Sequence, residues 1–497
     1  MMETPDLLVR RAAMTPDKIA MHDLISNERV TYGEFARHAA EAANLLASLG
    51  VVEGDRVGIL CRNRIEFFEA LFACAKIGAL YVPLNWRMPP NELRIFIENC
   101  TPKVILAGAE DISKLKNLTV PTEIIELDGS GRSDFRALAA RAPQARHREF
   151  WRSDDVWSLI YTSGTTGQPK AVIQTYQMAL MNYVNIRQAV GFSGDDVTLN
   201  FLPLFHTAGI NLYTVPFLFA GGEVKIMPGF DVERTMELLI SGSLDAFFGV
   251  PAVYQELSLH PRFSEADLSN VRSWGCGGAP LPDILVETFA PRGALVCNGY
   301  GMTETGPTAF LMEPHEVTRK IGAVGRSQLL TAARIMVGDR PAKPGETGEM
   351  QMKGPSITPG YWRAPEATKA AFTDDGWLKT GDLALEDEEG FTYIVGRSKD
   401  MYISGGENVY PAEVENAYAR HNAVLEAAVI GVPDTKWGEV GRAYLLMREG
   451  KSASPEDLTR FGRENLAPYK VPKSFVFVSD FPRTPAGKVQ KHLLPRD

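Results

Sequence analysis

A chain of 497 residues exceeds what one ordinary hydrophobic core supports, so two or more domains are expected. Its 45% apolar and 23% charged residues are those of a globular protein, and a formal charge of −9 gives no general electrostatic reason to bind nucleic acid. Five scattered cysteines without a C-x-x-C pair speak against a disulfide framework or a zinc site. With no signal peptide and no apolar stretch long enough to span a bilayer, a cytoplasmic protein is expected.

Taken in order, Thr31-Tyr32-Gly33-Glu34 reads as a capping box that opens a helix running to about Leu49, with Gly50 as its stop. A strand over 56–60, a helix over 65–77, a strand over 81–84, a helix over 91–99 and a strand over 103–107 follow. This alternation predicts a mainly parallel sheet covered by helices. The polar, Arg-rich stretch from 129 to 153 reads as a loop-rich join. The alternation then resumes, with a strand over 156–160, helices over 178–190 and 232–240, and short apolar strands over 197–202, 246–250 and 295–297. Residues 335–361, rich in Gly and Thr, predict a small β-rich subdomain. A charged, Gly-rich segment at 386–390 leads to Gly396-Arg397-Ser398-Lys399-Asp400, where the main domain boundary is placed, giving units of 1–397 and 398–497. The second unit has its own α+β pattern: helices over 411–419 and 455–465, strands over 426–431, 443–447 and 475–478.

The strand over 156–160 runs into Tyr161-Thr162-Ser163-Gly164-Thr165-Thr166-Gly167-Gln168-Pro169-Lys170. Small residues let a backbone come close to a ligand, hydroxyls and N–H groups donate hydrogen bonds, and Lys170 adds positive charge, which together suit a polyphosphate. The spacing is not that of a P-loop, because Ala171 follows Lys170 where a Ser or Thr is needed. Read alone, the loop is equally a polar surface turn. Tyr300-Gly301-Met302-Thr303-Glu304 sets a hydroxyl beside a carboxylate that could hold Mg²⁺, and it would equally suit a helix N-cap and first turn.

Six strings in a fixed order make the whole chain resemble the adenylate-forming acyl-CoA synthetases, within the superfamily that includes non-ribosomal peptide adenylation domains and beetle luciferases. They are YTSGTTGQPK at 161–170, GCGGAPLP at 275–282, NGYGMTET at 298–305, GWLKTGDLA at 376–384, GRSKDMYISGGENVYPAEVE at 396–415 and PRTPAGKVQK at 482–491. The resemblance implies a large N-terminal domain and a small, mobile C-terminal one, with ATP, Mg²⁺ and coenzyme A as co-substrates and cofactor. Thr162, Ser163, Gly164, Thr165, Thr166, Gly167 and Lys170 would close over the β- and γ-phosphates. Gly277, Gly278, Ala279 and Pro280 would form one adenine wall, with Asn298, Gly299, Tyr300, Gly301 and Met302 on the other side. Thr303 would bond the α-phosphate and Glu304 hold the metal. Asp382 would accept the ribose hydroxyls, with Arg397 beside it. Lys399 resembles the hinge, and Lys488 the catalytic lysine that bridges the substrate carboxylate and the α-phosphate. Ser404, Gly405 and Gly406 would make room for the pantetheine arm, and His206 would gate the acyl pocket, unless it is an ordinary satisfied core histidine.

The implied reaction joins a carboxylic acid to CoA through acyl-AMP, with AMP and pyrophosphate as by-products and no enzyme nucleophile. His206, Phe247, Gly249, Trp274, Gly275, Met302 and Pro307 outline an expected acyl pocket. It is apolar and without Arg or Lys, so an aryl or cinnamate-like acid, such as ferulate or coumarate, or a medium-chain fatty acid is expected over a dicarboxylate. Asn298 stands where the family usually has Gln. The rival readings are a stand-alone ligase loading a separate carrier protein, although no carrier domain follows Lys488, a P-loop ATPase or regulator, and a pseudoenzyme. Monomer and homodimer both fit.

Overall fold

The computed structural model describes the chain apart from residues 1, 117, 119–121, 129–133, 163–169, 485–486 and 497. The fold is α/β, with a large N-terminal part built on three large sheets and a two-stranded one, and a small C-terminal part built on its own sheet. In the first sheet, strands Leu80–Pro83, Arg56–Leu60, Val104–Ala107 and Glu123–Glu126 run parallel. Val156–Thr162 joins them in parallel, and Lys170–Thr175 pairs antiparallel with it, which sets Thr162 opposite Lys170. Nine strands form the second sheet. Its centre, from Val296–Met302 through Ser273–Cys276, Ala246–Gly249, Val197–Asn200 and Glu223–Ile226 to Ile19–Asp23, is parallel, and its edges are antiparallel.

Helix Ile65–Ile77 packs in the core between these sheets. Eleven of its residues are buried, including Glu69 and Lys76, and a helix apolar nearly all round is one that has no solvent face. Its two buried charges are paired, Lys76 with Asp6 at 2.6 Å and Glu69 with Arg136 at 2.7 Å and His38 at 2.8 Å. Helix Tyr32–Ser48 lies beside it and starts at the expected capping box, in which Thr31 and Glu34 satisfy each other's backbone amides; such a cap contributes about 1 kcal/mol. The join at 129–153 holds more order than its composition suggested. It contains helix Phe135–Ala139 and strand Phe150–Arg152, whose Trp151 is buried against Tyr176.

A five-stranded antiparallel sheet carries the β-rich expectation, with Ala332–Val337, Gly348–Lys353, Leu378–Glu386 and Thr392–Arg397 as its main strands. Beyond it, Val424–Asp434 and Gly438–Met447 pair along their length, Ser474–Val478 adds in parallel, and helices Pro411–Ala419 and Pro455–Asn465 cover a core around Tyr418, Val429 and Leu445. No helix among the described residues is long and apolar enough to cross a membrane.

Candidate functional site

The expected site residues come from the C-terminal ends of the central strands of the nine-stranded sheet, where an open α/β sheet leaves a crevice. Strand Ser273–Cys276 runs out into Gly277 and Gly278. A Cβ on Gly277 would lie 3.0 Å from the Gly299 carbonyl, and Gly278 has φ +85, so this stretch needs glycine to turn and to stay close to its neighbour. The next strand, Val296–Met302, carries Asn298, Gly299, Tyr300, Gly301 and Met302 along the same rim. Thr303 and Glu304 follow in a tight connection to Gly306–Leu311, which pairs antiparallel. The helix-cap alternative for Thr303 and Glu304 therefore falls: the chain turns back into a strand instead of entering a helix.

Asp382 is buried in the antiparallel sheet, and three groups fix it. Tyr300 Oη donates to its Oδ2 at 2.5 Å, Arg397 Nε lies 3.3 Å from Oδ1, and its own amide donates to Thr380 Oγ1. Burial first, and then the charge of Asp382, push the Tyr300 phenol well above its ordinary range, so the tyrosine stays a donor.

Lys488 reaches this group from the far end of the sequence. The turn that carries it is closed by the Thr484 amide on the Lys488 carbonyl at 2.6 Å and the Gly487 amide on the Thr484 carbonyl at 2.8 Å, with Gly487 at φ +83. The turn rests on the larger part of the chain: a Cβ on Gly487 would lie 3.7 Å from Val250, which also borders Gly278. Lys488 keeps solvent contact, yet it lies deep enough in the cleft that desolvation, and then Arg397, lower its pKa, while Asp382 raises it. Two cations held this close repel each other until an anion arrives between them.

His206 lies on the same cleft. Its pKa is pushed down to about 4 by burial, then by Arg87 and Lys488, so the ring is neutral near pH 7. Its Nε2 is buried without a hydrogen-bond partner among the described residues, which is not the satisfied core histidine of the alternative reading. Arg87 itself is held against the Trp86 ring together with Arg62; neither arginine was singled out by motif, because a lone Asn-Trp-Arg carries no spacing signal.

Glu304 is buried, and desolvation raises its pKa against the opposing hydrogen bond from Tyr361. Tyr361 Oη donates to Glu304 Oε1 at 2.9 Å, and Lys170 Nζ lies 5.6 Å from the centre of the Tyr361 ring. The donor set suits Mg²⁺, which takes hard oxygen ligands and is commonly held by one or two carboxylates plus phosphates. Ser163, Gly164, Thr165, Thr166 and Gly167 lie outside the described residues; the hairpin ends, Thr162 and Lys170, are paired.

The expected acyl pocket needs correction at three positions. Along Ala246–Gly249 side chains alternate between faces, and Phe247 and Gly249 face the covering helices. Phe247 is fully buried, its ring 5.5 Å from Trp274 and 6.0 Å from Tyr254, and Trp274 Nε1 donates to the Val271 carbonyl inside the same core. A Cβ on Gly249 would lie 2.9 Å from Val253 of the helix behind it. Phe248, one residue on, faces the other way: with Tyr213 it stands over Gly275, where a Cβ would come 2.8 Å from the Phe248 ring and 2.9 Å from Tyr213 Oη. Phe247→Ala is accordingly expected to cost about 3–5 kcal/mol of stability by urea unfolding, with the order of preferred acids unchanged in the folded protein; a changed order with unchanged stability would return Phe247 to the pocket.

The residues expected to admit pantetheine lie on a β-hairpin. Gly405 and Gly406, at φ +63 and +90, form its tip between Tyr402–Ser404 and Glu407–Val409, both central residues having the positive φ that a two-residue hairpin favours. Its neighbours are within the C-terminal part: the Gly405 amide donates to the Trp437 carbonyl and Ser404 pairs with Gly438. Lys399 is exposed in the turn that follows Arg397, with the Ser398 amide bonded back to the Gly381 carbonyl.

The family description "AMP-binding enzyme" matches residues 8–362, and "AMP-binding enzyme C-terminal domain" matches 413–488. The chain is 38% identical to a feruloyl-CoA synthase of Amycolatopsis sp over 490 residues, covering 97% of this chain and 96% of the relative. It is 35% identical to an indoleacetate–CoA ligase of Aromatoleum aromaticum over 497 residues, 99% and 97% of the two chains. Among solved structures it matches o-succinylbenzoate CoA synthetase from Bacillus subtilis in complex with an acyl-adenylate intermediate, with a TM-score of 0.90, 31% identity and coverage of 99% and 98%.

Proposed function

Because the chain belongs to the AMP-binding enzyme family and is an AMP-forming acyl-CoA synthetase, we propose that it activates an aryl-type carboxylic acid with ATP and passes the acyl group to coenzyme A. The observation that carries the reading of the site is the meeting of Lys488 with Arg397 and the Asp382–Tyr300 pair, brought from two parts of the chain to one cleft.

In the first step a carboxylate oxygen of the acid attacks the α-phosphorus of ATP, and the bond from that phosphorus to pyrophosphate breaks. Asp382 accepts the ribose hydroxyls, a charged acceptor making such bonds stronger. Thr303 and Lys488 meet the α-phosphate, and Lys488 also meets the incoming carboxylate, offsetting the negative charge gathered there. Glu304 would hold Mg²⁺, which when bound neutralises phosphate charge. Lys170, Thr162 and the intervening 163–169 receive the pyrophosphate. In the second step the CoA sulfur attacks the acyl carbon, the bond from that carbon to AMP oxygen breaks, and the thiol proton goes to solvent. Residues 398–497 would turn about Lys399 between the steps, withdrawing Lys488 and bringing Ser404, Gly405 and Gly406 to the cleft.

For the acid, the slot is assigned to Tyr213, Phe248 and Gly275 with Met302 and Pro307, closed by His206. An aromatic, apolar lining suits a flat ring, and the relatives named for feruloyl and indoleacetate substrates support the same class. A panel of acids assayed for AMP and pyrophosphate tests this. Ferulate, coumarate, indoleacetate or benzoate is expected to outrun octanoate and malonate, and Phe248→Ala to favour bulkier rings. Malonate or octanoate in first place would overturn the aryl slot; ADP and phosphate as products would overturn the ligase chemistry. A separate carrier protein in place of CoA would show as thioester formation on the carrier alone.

A further inference from the structure

Between the five-stranded sheet and helix Pro365–Ala371 the chain runs through Thr358-Pro359-Gly360-Tyr361-Trp362, and this short strap touches two parts of the phosphate site at once. On one side it lies along the return strand Lys170–Thr175. The Ile173 amide donates to the Gly360 carbonyl at 3.1 Å, the Trp362 amide donates to the Ala171 carbonyl at 2.9 Å, Thr358 Oγ1 donates to the Ile173 carbonyl at 2.7 Å, and Tyr361 pairs with Val172. On the other side the Thr358 amide donates to the Glu304 carbonyl at 2.8 Å. The path is tightly specified: Gly360 has φ +143, where a Cβ would lie 2.4 Å from Thr368, and Thr368 Oγ1 accepts from the Tyr361 amide at 2.9 Å. The backbone therefore has little freedom to move Tyr361 elsewhere.

What the strap delivers is one side chain between two charges. Tyr361 Oη donates to Glu304 Oε1 at 2.9 Å, and the ring of the same residue faces Lys170 Nζ at 5.6 Å, within the range of a cation–π contact. Gln174, on the return strand, adds a bond from Nε2 to the Thr303 carbonyl at 2.8 Å. The end of the phosphate hairpin and the carboxylate of the Thr303-Glu304 turn are thus joined through the strap as well as directly.

We propose that Tyr361 is a positioning residue for the metal–pyrophosphate half of the site: its hydroxyl aims the Glu304 carboxylate and its ring holds Lys170 beside it, so that the two groups meet the same β- and γ-phosphates. This rests on Glu304 being the Mg²⁺ ligand. A strap serving only to extend the sheet would need the backbone bonds and the ring, and would be indifferent to the hydroxyl.

The test is equilibrium binding to the full chain, without the acid, of α,β-methylene ATP with Mg²⁺, of the same analogue with EDTA, and of AMP. Tyr361→Phe keeps ring and strap and removes only the bond to Glu304. It is expected to reduce the gain in analogue affinity that Mg²⁺ brings by about tenfold, the scale of a hydrogen bond to a charged group. Affinity for AMP, which lacks the β- and γ-phosphates, should stay within about twofold of the parent. In a Glu304→Gln background Tyr361→Phe should have no further effect, since both act through one carboxylate. An undiminished metal-dependent gain in Tyr361→Phe, an equal loss for AMP, or additive effects in the double variant would each overturn the proposal. The two readings fail separately. If Glu304→Gln keeps the gain, the metal role of Glu304 is wrong; if Glu304→Gln loses it and Tyr361→Phe does not, only the positioning role is wrong.

Discussion

Replacing Lys488 with Ala is expected to slow acyl-AMP formation by about 10²–10³-fold, the scale on which one electrostatic donor to a transition state acts. Formation of acyl-CoA from pre-made acyl-AMP should stay within about threefold of the parent, since Lys488 is assigned to the step that creates the adenylate. The reason is spatial. Lys488 and Arg397 are set near each other with Asp382 as a countercharge, an arrangement that gains most when a carboxylate and an α-phosphate come together there. Its turn makes few bonds that the side chain itself supports, so the variant should fold. Rapid-quench measurement of each half-reaction decides the matter, and equal losses in both halves would remove Lys488 from its assigned role. Lys399→Pro is the complementary variant. Fixing one backbone angle in the exposed turn should impair the CoA half-reaction more than the adenylating one; the opposite bias would move the hinge elsewhere.

The second large effect is expected at Asp382. Asp382→Asn keeps the size and the buried position but removes the charge proposed to accept two ribose hydroxyls. Hydrogen bonds to a charged group contribute about 1.5–3 kcal/mol each, so the KM for ATP should rise by about 10²-fold or more, with inorganic pyrophosphate binding untouched. The amide would also meet Tyr300 Oη and Arg397 Nε, which now point at a carboxylate, so Arg397→Ala made in the Asp382→Asn background should cost less than in the parent. A KM for ATP within twofold of the parent would show that the ribose binds elsewhere.

Much of this site was legible in the chain. Strings such as GWLKTGDLA place Asp382, and PRTPAGKVQK places Lys488, through the resemblance to the acyl-CoA synthetases that the six ordered strings carry; read alone, Asp382 would be an ordinary turn residue and Lys488 one of several charges in a basic tail. Glu304 was legible for the same reason. Tyr361 was not. It stands in a turn-rich stretch, Thr358-Pro359-Gly360-Tyr361-Trp362, whose composition says only that the chain bends, and its partner Glu304 lies 57 positions away. Arg87 was missed likewise, its effect on His206 arising only where two distant segments meet.

The acyl pocket shows the dividing line most clearly. Four apolar residues ending in a glycine, Ala246-Phe247-Phe248-Gly249, announce a short buried strand by length and composition. They do not say which phenylalanine meets the helices and which meets the cleft, because a strand buried on both faces has no polar side to set its phase. That choice is made by Trp274, Tyr254 and Phe289 on one side and by Tyr213 and Gly275 on the other, residues contributed from other strands and helices. From the sequence came the α/β class, by the alternation of strand and helix patterns, and, through the resemblance carried by six ordered strings, the chemistry and the order of the phosphate, ribose and lysine motifs. Only the tertiary structure decided which faces look into the cleft and what holds Glu304, and that Lys488 reaches Asp382 across more than a hundred residues, because each depends on packing between segments whose separation along the chain carries no information about their distance in space.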